Sequence, residues 1–319
     1  MKEPLIGILM ATYNGERFIR EQINSILNQT YENWKLIIHD DGSTDSTVNI
    51  VKEYVKKYPE KIILIKDRIR CGGAKENFAH LINIAKAKFN FDYIMFSDQD
   101  DVWLPNKIEI TLQKMIEVET QYKNTPIIVH TDLTVVDANL NIIAKSFWEY
   151  QTMNPWNNTI ACLLLENTVT GCTMMINKNL YKKITVFPKE SLFHDWWIAL
   201  VCSAIGGVIA RIKAPTVLYR QHGKNVTGAR RYNLFISLRN FIFDTAGVIK
   251  RGKDRRKKLR SQAKALIWYI NNYLPDKKTK FISQLEDALN NPLRIKIFYV
   301  KEKALCGPIF KKIEKFLFY

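Results

Sequence analysis

Ser97-Asp98-Gln99-Asp100-Asp101-Val102-Trp103 follows directly on the apolar run Tyr93 to Phe96, so three carboxylates crowd the end of a short buried strand. In an open α/β sheet the carboxyl ends of the strands border the ligand crevice, and this stretch belongs there. Carboxylates so close repel one another and stay ionised beside solvent, a basic partner or a divalent cation. Hard cations such as magnesium or manganese prefer oxygen ligands of this kind. The same acids also suit a solvated turn that caps the helix expected near Pro105, and the stretch alone leaves both readings open.

Upstream, Leu5 to Met10 reads as a first strand, followed by Thr12-Tyr13-Asn14-Gly15 and a helical pattern through Ile19, Ile23, Ile26 and Leu27. Trp34 to His39 is a second strand. It ends in the polar turn Asp40-Asp41-Gly42-Ser43-Thr44-Asp45, before a helix with Val48, Val51 and Val55 inward. Ile62 to Ile65 is a third strand, and a glycine-containing loop leads from Arg68 to Lys75 and a helix carrying Phe78, Leu81, Ile82 and Ala85. Strands alternating with helices at this spacing predict parallel βαβ units and an α/β fold. No GxGxxG and no GxxxxGK[ST] occurs, so a nucleotide bound here needs side chains and a metal to hold its phosphates.

Downstream, a helix is expected from about Lys107 to Tyr122, with strands over Ile127 to Thr131 and Asn141 to Lys145. Thr170-Gly171 leads into an apolar strand ending at Ile176, and Phe193-His194-Asp195-Trp196-Trp197 precedes a low-charge helix. Val208 to Ile212 and Val217 to Arg220 close the sheet and lead to Gln221-His222-Gly223-Lys224-Asn225. From about Tyr232 the chain becomes helical, basic and rich in aromatics. A boundary near 230 therefore separates an α/β domain, 1–230, from a basic helical region, 231–319.

The 319 residues, 47% of them hydrophobic, suffice for one large domain with an appendage. Forty-eight basic against 31 acidic residues leave +17, which points to an anionic partner: a nucleotide, a nucleic acid or an acidic membrane face. The densest basic run, Lys250 to Arg260, is far in sequence from the acids, so the two have different tasks. Cys71, Cys162, Cys172, Cys202 and Cys306 form no CxxC pair, which argues for reduced thiols in a cytoplasmic protein and against zinc. The apolar run Leu5 to Met10 is too short for a secretory signal, and Trp196 to Ala210 is too short to span a bilayer.

In order and spacing, Thr12-Tyr13-Asn14, Asp40 to Asp45, Asp98-Gln99-Asp100-Asp101, His194-Asp195 and Tyr219-Arg220-Gln221-His222-Gly223 resemble the family 2 glycosyltransferases with a GT-A fold. The likeness covers about the first 225 residues. Asp-Gln-Asp-Asp-Val-Trp with His-Asp-Trp-Trp and Tyr-Arg-Gln-His-Gly is most similar to bacterial rhamnosyltransferases of surface polysaccharide synthesis. The resemblance implies a Rossmann-like, mixed and mostly parallel sheet. It also implies a nucleotide-sugar donor, such as dTDP-rhamnose or a UDP-sugar, with Mn2+ or Mg2+ as cofactor. It places Tyr13 and Asp41 at the nucleobase, Thr12 and Asn14 beside them, Asp98 at the ribose, and Asp100 with His222 on the metal and diphosphate. Lys75 would lie near the donor, and Asp195 would be the general base. Asp41 also suits a helix cap, and His222 an ordinary loop histidine.

Glycosyl transfer needs a leaving diphosphate whose charge is neutralised and an acceptor hydroxyl that loses its proton as it attacks. Asp195 suits the second task because Trp196 and Trp197 flank it with apolar surface, raising its pKa and offering sugars a platform, although both indoles also suit the core. One carboxylate base with direct displacement predicts inversion at the anomeric centre. Asp101, Trp103, Thr170 and Gly171 are further candidates for the acceptor side.

The stretches 233–248 and Ile309 to Tyr319 are amphipathic and, with the basic run, fit peripheral attachment to the inner face of the cell membrane, where a lipid-linked or oligosaccharide acceptor would be found. They fit equally a bundle packed on the catalytic domain or on a second copy in a homo-oligomer. The rival class is a nucleic-acid-binding protein. No recognised motif supports it, and the carboxylate cluster would repel phosphate without a metal.

Overall fold

The structure is a computed structural model that describes residues 3–67, 69–223, 228–229, 245–277, 280–289, 291–302 and 304. Strand β1 (Ile6–Thr12) lies between β2 (Trp34–Asp40) and β4 (Tyr93–Ser97), parallel to both, with β3 (Ile62–Leu64) outside β2. Its side chains alternate between two apolar layers, which is why the strand reads as an unbroken hydrophobic run. Ile6, Ile8 and Met10 pack in one layer with α1 (Ile19–Leu27), α2 (Thr47–Lys57) and α4 (Lys107–Gln121). Leu9 packs in the other with α3 (Ala74–Lys88). These βαβ units match the sequence pattern.

Beyond β4 the sheet becomes mixed. The remaining elements are β5 (Val102–Trp103), β6 (Ile127–Val136), β7 (Ile142–Ala144), α5 (Phe147–Tyr150), α6 (Ile160–Leu165), β8 (Met175–Asn177), α7 (Lys178–Tyr181), α8 (His194–Ala204) and β9 (Val208–Arg220). The order is β3-β2-β1-β4-β8-β6-β9-β5, with β7 pairing β6. Strand β8 runs against β4 and β6, and β9 runs parallel to β6. The fold is the α/β, GT-A arrangement that the motifs imply.

Two departures from the expected elements lie on the strands that lead to the site. Val208–Arg220 is one strand, not two: its pairing with β6 shifts register around Asp132 and Pro215, where proline's missing N–H suits an irregularity. The strand expected from Thr170 opens instead as a 3-10 turn, Gly171–Thr173.

The described part of the 231–319 region is helical: α9 (Thr245–Tyr273), a 3-10 turn at Pro275–Lys277, α10 (Lys280–Leu289) and α11 (Pro292–Lys301). Leu259, Ala263, Leu266 and Ile270 of α9 join the same apolar layer as Trp197 and Ile198. Gln262 accepts the Leu192 amide at 2.8 Å, and the Tyr269 ring meets Trp197 edge-on at 5.4 Å. The opposite face exposes Lys250, Arg251, Lys253, Lys257 and Lys258. The boundary near 230, residues 233–244 of the stretch 233–248 and the stretch Ile309 to Tyr319 lie outside the described residues. Among those described, no helix is long and apolar enough to cross a membrane.

Candidate active site

The rim of the cleft is built by the loops after β1 and β2, and Asp40 organises it. Its Oδ1 accepts the Gly42 and Ser43 amides at 3.1 and 2.8 Å, while its Oδ2 accepts the Thr12 and Ser43 hydroxyls at 2.8 and 2.6 Å. Thr12 is thereby a buried brace. Asn14 takes a left-handed backbone conformation (φ 47°) and accepts the Thr44 amide at 2.8 Å, which joins the two loops. Gln99 clamps Tyr13 by accepting its N–H and donating to its carbonyl, both at 2.9 Å. A Cβ on Gly15 would lie 2.3 Å from the Gln99 amide oxygen, so that clamp requires glycine. The Tyr13 ring is left 55% exposed on the rim. Beside it, Asp41 Oδ1 accepts the amides of Cys71 and of Gly72.

The floor is the acidic stretch. The Asp98 carboxyl is pushed up to about 7 by burial, then by the charges of Asp100 and Asp195. Asp195 enters from the first turn of α8. Burial lifts its carboxyl to about 6, against the opposing pull of the Trp196 amide at 2.6 Å and the Gly171 amide at 2.9 Å. The Gly171 turn presses on this helix start: a Cβ there would lie 2.5 Å from His194 Nε2 and 3.4 Å from Asp195 Cβ. Thr170 is half-buried at the start of that turn. His194 is buried against Phe78 and Phe96, and burial lowers its pKa to about 3, so the neighbouring imidazole stays neutral.

The carboxyl end of β9 closes the pocket across more than a hundred residues. Arg220 is buried, with Nε donating to the Asp100 carbonyl at 2.8 Å, one terminal nitrogen donating to Ala138 O at 2.6 Å and the other paired with Glu21. His222 stacks near Phe18, ring centroids 4.9 Å apart, and its Nε2 lies 2.7 Å from Asp100 Oδ2. The two residues expected at a metal are therefore neighbours. Asp98, Asp101 and Cys172 bring their ligand atoms within 4.8 Å of one another just behind.

Several expected contacts take other directions. Asp101 is fully buried: its Oδ1 accepts the Arg220 amide at 3.1 Å, and its Oδ2 has only the Cys172 thiol as a weak neighbour. It pins β9 to the floor and faces no acceptor. Trp103 is 2% exposed because β5 pairs with β9 and turns the indole inward, over the Lys107 ammonium at 4.7 Å. Burial lowers the Lys107 pKa to about 8, opposed by Cys172 and Asp101. Trp196 and Trp197 are core residues whose indole N–H groups donate to Leu163 O and Val186 O at 2.5 and 3.1 Å. They back Asp195 and offer no sugar platform, because a helix that turns Asp195 to the cleft turns the next two positions away. Lys75 also leaves the donor side: its ammonium donates to the carbonyls of Pro188, Lys189 and Ser191 at 3.4, 3.1 and 2.9 Å, bracing the loop ahead of α8.

Asp40, Gln99 and Arg220 are the organisers that the motifs did not single out. The signal was their position: each lies inside a polar motif, one or two residues from a residue expected to meet ligand.

A mixed α/β sheet with this acidic floor and a second carboxylate at a helix start defines a GT-A glycosyltransferase, an enzyme. The model of glycosyl transferase family 2 matches residues 7–184, and the chain belongs to that family. It is 31% identical over 274 residues to the dTDP-rhamnosyl transferase RfbG of Shigella flexneri, covering 83% of this chain and 88% of that protein. Its fold is similar to that of S. aureus TarS 1-349 in complex with UDP-GlcNAc (TM-score 0.54, 15% identity, 99% of this chain and 89% of that one). It is also similar to that of the mannosyltransferase PcManGT from Pyrobaculum calidifontis in complex with GDP-Man and Mn2+ (TM-score 0.52, 17% identity, 98% and 78% covered).

Proposed function

We propose that this enzyme is an inverting, metal-dependent transferase that moves a sugar from a nucleotide diphosphate to a hydroxyl of a growing cell-surface glycan. The observation that carries this reading is the 2.7 Å pair of Asp100 and His222 beside Asp98, whose carboxyl also feels the charge of Asp195. The residues fit a hard divalent cation: Asp100 and His222 already face each other at 2.7 Å, and Asp98 and Asp101 are carboxylates raised by crowding and burial with no cationic partner in contact with Asp98 among the described residues. Asp100 and His222 would hold Mn2+ or Mg2+, which supplies charge neutralisation for the leaving diphosphate.

The remaining work belongs to the protein. Tyr13 and the second oxygen of Asp41 serve the nucleobase, on a rim held by Thr12 and Asn14. Asp98 serves the ribose. Asp195 takes the proton of the attacking hydroxyl while the Gly171 amide holds its carboxylate in place. Thr170 and the Gly171 turn border the incoming acceptor. A single base and a direct displacement invert the anomeric centre. The similarity to the Shigella flexneri rhamnosyl transferase makes dTDP-rhamnose the first donor to try, with UDP-sugars as the alternative. The exposed basic face of α9 fits an anionic membrane carrying a lipid-linked acceptor.

The test is a panel of nucleotide sugars with and without Mn2+ or Mg2+, read as release of nucleoside diphosphate. Metal-dependent release from dTDP-rhamnose is the expected result. Release from no sugar nucleotide, with salt-sensitive binding to RNA or DNA, would overturn it.

A further inference from the structure

Outside the acidic floor, a second set of metal-binding side chains converges at the foot of the loop that holds Asp41. His39 stands on β2 immediately before Asp40, Asp67 follows β3, and His80 lies on α3. One ligand atom from each lies within 4.8 Å of the others. His39 Nε2 is 3.0 Å from Asp67 Oδ1, and His80 Nε2 is 2.7 Å from Asp67 Oδ2.

The hydrogen-bond roles at His39 call for a positive charge between these atoms. Asn77 Nδ2 donates to the His39 carbonyl at 3.2 Å, which fixes the amide's orientation and leaves its Oδ1 facing His39 Nδ1 at 2.7 Å. That oxygen only accepts, so Nδ1 carries the ring proton. A neutral His39 then aims the bare lone pair of Nε2 at a carboxylate oxygen, which also only accepts. A second ring proton would relieve the clash by placing a cation on a side chain that is 1% exposed. A divalent ion relieves it while also using His80 and both sides of the carboxylate. The Nδ1–H tied to an amide oxygen is the outer-shell arrangement that orients metal-bound histidines.

We propose that His39, Asp67 and His80 bind a first-row divalent ion, zinc by ligand type, with water completing its shell. Two imidazoles and one carboxylate suit zinc better than magnesium or calcium. Bonds of about 2.0–2.2 Å place tetrahedral ligand atoms about 3.4 Å apart, so the ring nitrogens, at 3.0 and 2.7 Å from the carboxylate oxygens, must draw back by about half an ångström to admit the ion. The ion ties the segment after β3 to β2 and α3, a few residues ahead of the Cys71 and Gly72 amides that hold Asp41. Cysteine spacing argues against zinc in this sequence, but these ligands are 28 and 13 residues apart and match no spacing motif. The site is separate from the acidic floor and stands or falls apart from the function proposed for it.

The full chain, stripped with a chelator and free of nucleotide, is titrated with Zn2+ against a chromophoric competitor. About one equivalent should bind tightly, and Asp100→Ala should keep it. His80→Ala and Asp67→Asn, at side chains 20% and 31% exposed, should each weaken zinc binding by ~10²-fold or more while circular dichroism stays unchanged. X-ray absorption of the loaded protein should show scattering from two imidazoles. Equal zinc affinity in the parent and in folded His80→Ala would leave only an imidazolium–carboxylate pair and overturn the proposal. Loss of zinc from Asp100→Ala instead would place the ion in the acidic floor, with the same consequence.

Discussion

The two sides of the cleft are built in opposite ways. The rim after β1 and β2 is held by its own polar side chains, which satisfy one another over about 30 positions, as Asn14 does with Thr44 and Thr12 with Asp40. The wall is half-buried and assembled from distant segments: Asp100 meets His222 across 122 positions, and Asp195 takes its amide from Gly171. Burial lifts the carboxyls of the far side, to about 6 at Asp195 and, with the charges of Asp100 and Asp195 added, to about 7 at Asp98. The rim is suited to recognising a ligand, and the wall to holding or moving a proton.

The sharpest way to break that contrast is Asp195→Asn. It should lower kcat by ~10²-fold or more with donor affinity unchanged, because only the proton acceptor is lost. A parent-like rate would move the base elsewhere. Gly171→Ala comes next: the new Cβ would press on His194 and Asp195, and a displaced base should lower kcat by up to ~10²-fold in steady-state assays with the donor Kd intact.

The pH profile gives a smaller, graded effect. A base raised to about 6 is ionised above that pH and protonated below it, so kcat should hold above about pH 6 and fall roughly tenfold per unit below. A limb near pH 4 would mean that Asp195 is not the group titrating. The smallest effect concerns α9. Replacing Lys257 alone by Gln in the full chain should weaken co-sedimentation with anionic vesicles by about 1 kcal/mol, roughly fivefold. Truncation near 230 is a poor substitute, because Leu259, Leu266 and Ile270 share the core with α8.

The contrast also governs how much of the molecule was legible in its sequence. The βαβ half was, because alternating apolar runs and polar turns are local signals. Asp98, Asp100, Asp195 and His222 could be singled out because each lies in a motif. The directions of side chains were not. Trp103, Trp196 and Trp197 look the same in sequence whether they face a sugar or the core, and only the pairing of β5 with β9 and the rotation of α8 decide. Lys75 likewise gave no sign that three carbonyls more than a hundred positions away would hold it. Arg220 carries no chemistry that a motif advertises, yet it joins Asp100, Ala138 and Glu21.

The most direct test is calorimetric titration of the nucleotide-sugar donor into Asp100→Ala and Asp195→Asn, each with and without Mn2+. Asp195→Asn should bind donor as the parent does and form almost no product, while Asp100→Ala should lose the manganese-dependent part of binding. Parent-like manganese dependence in Asp100→Ala, or parent-like turnover in Asp195→Asn, would contradict a cleft with a cation on one side and a base on the other.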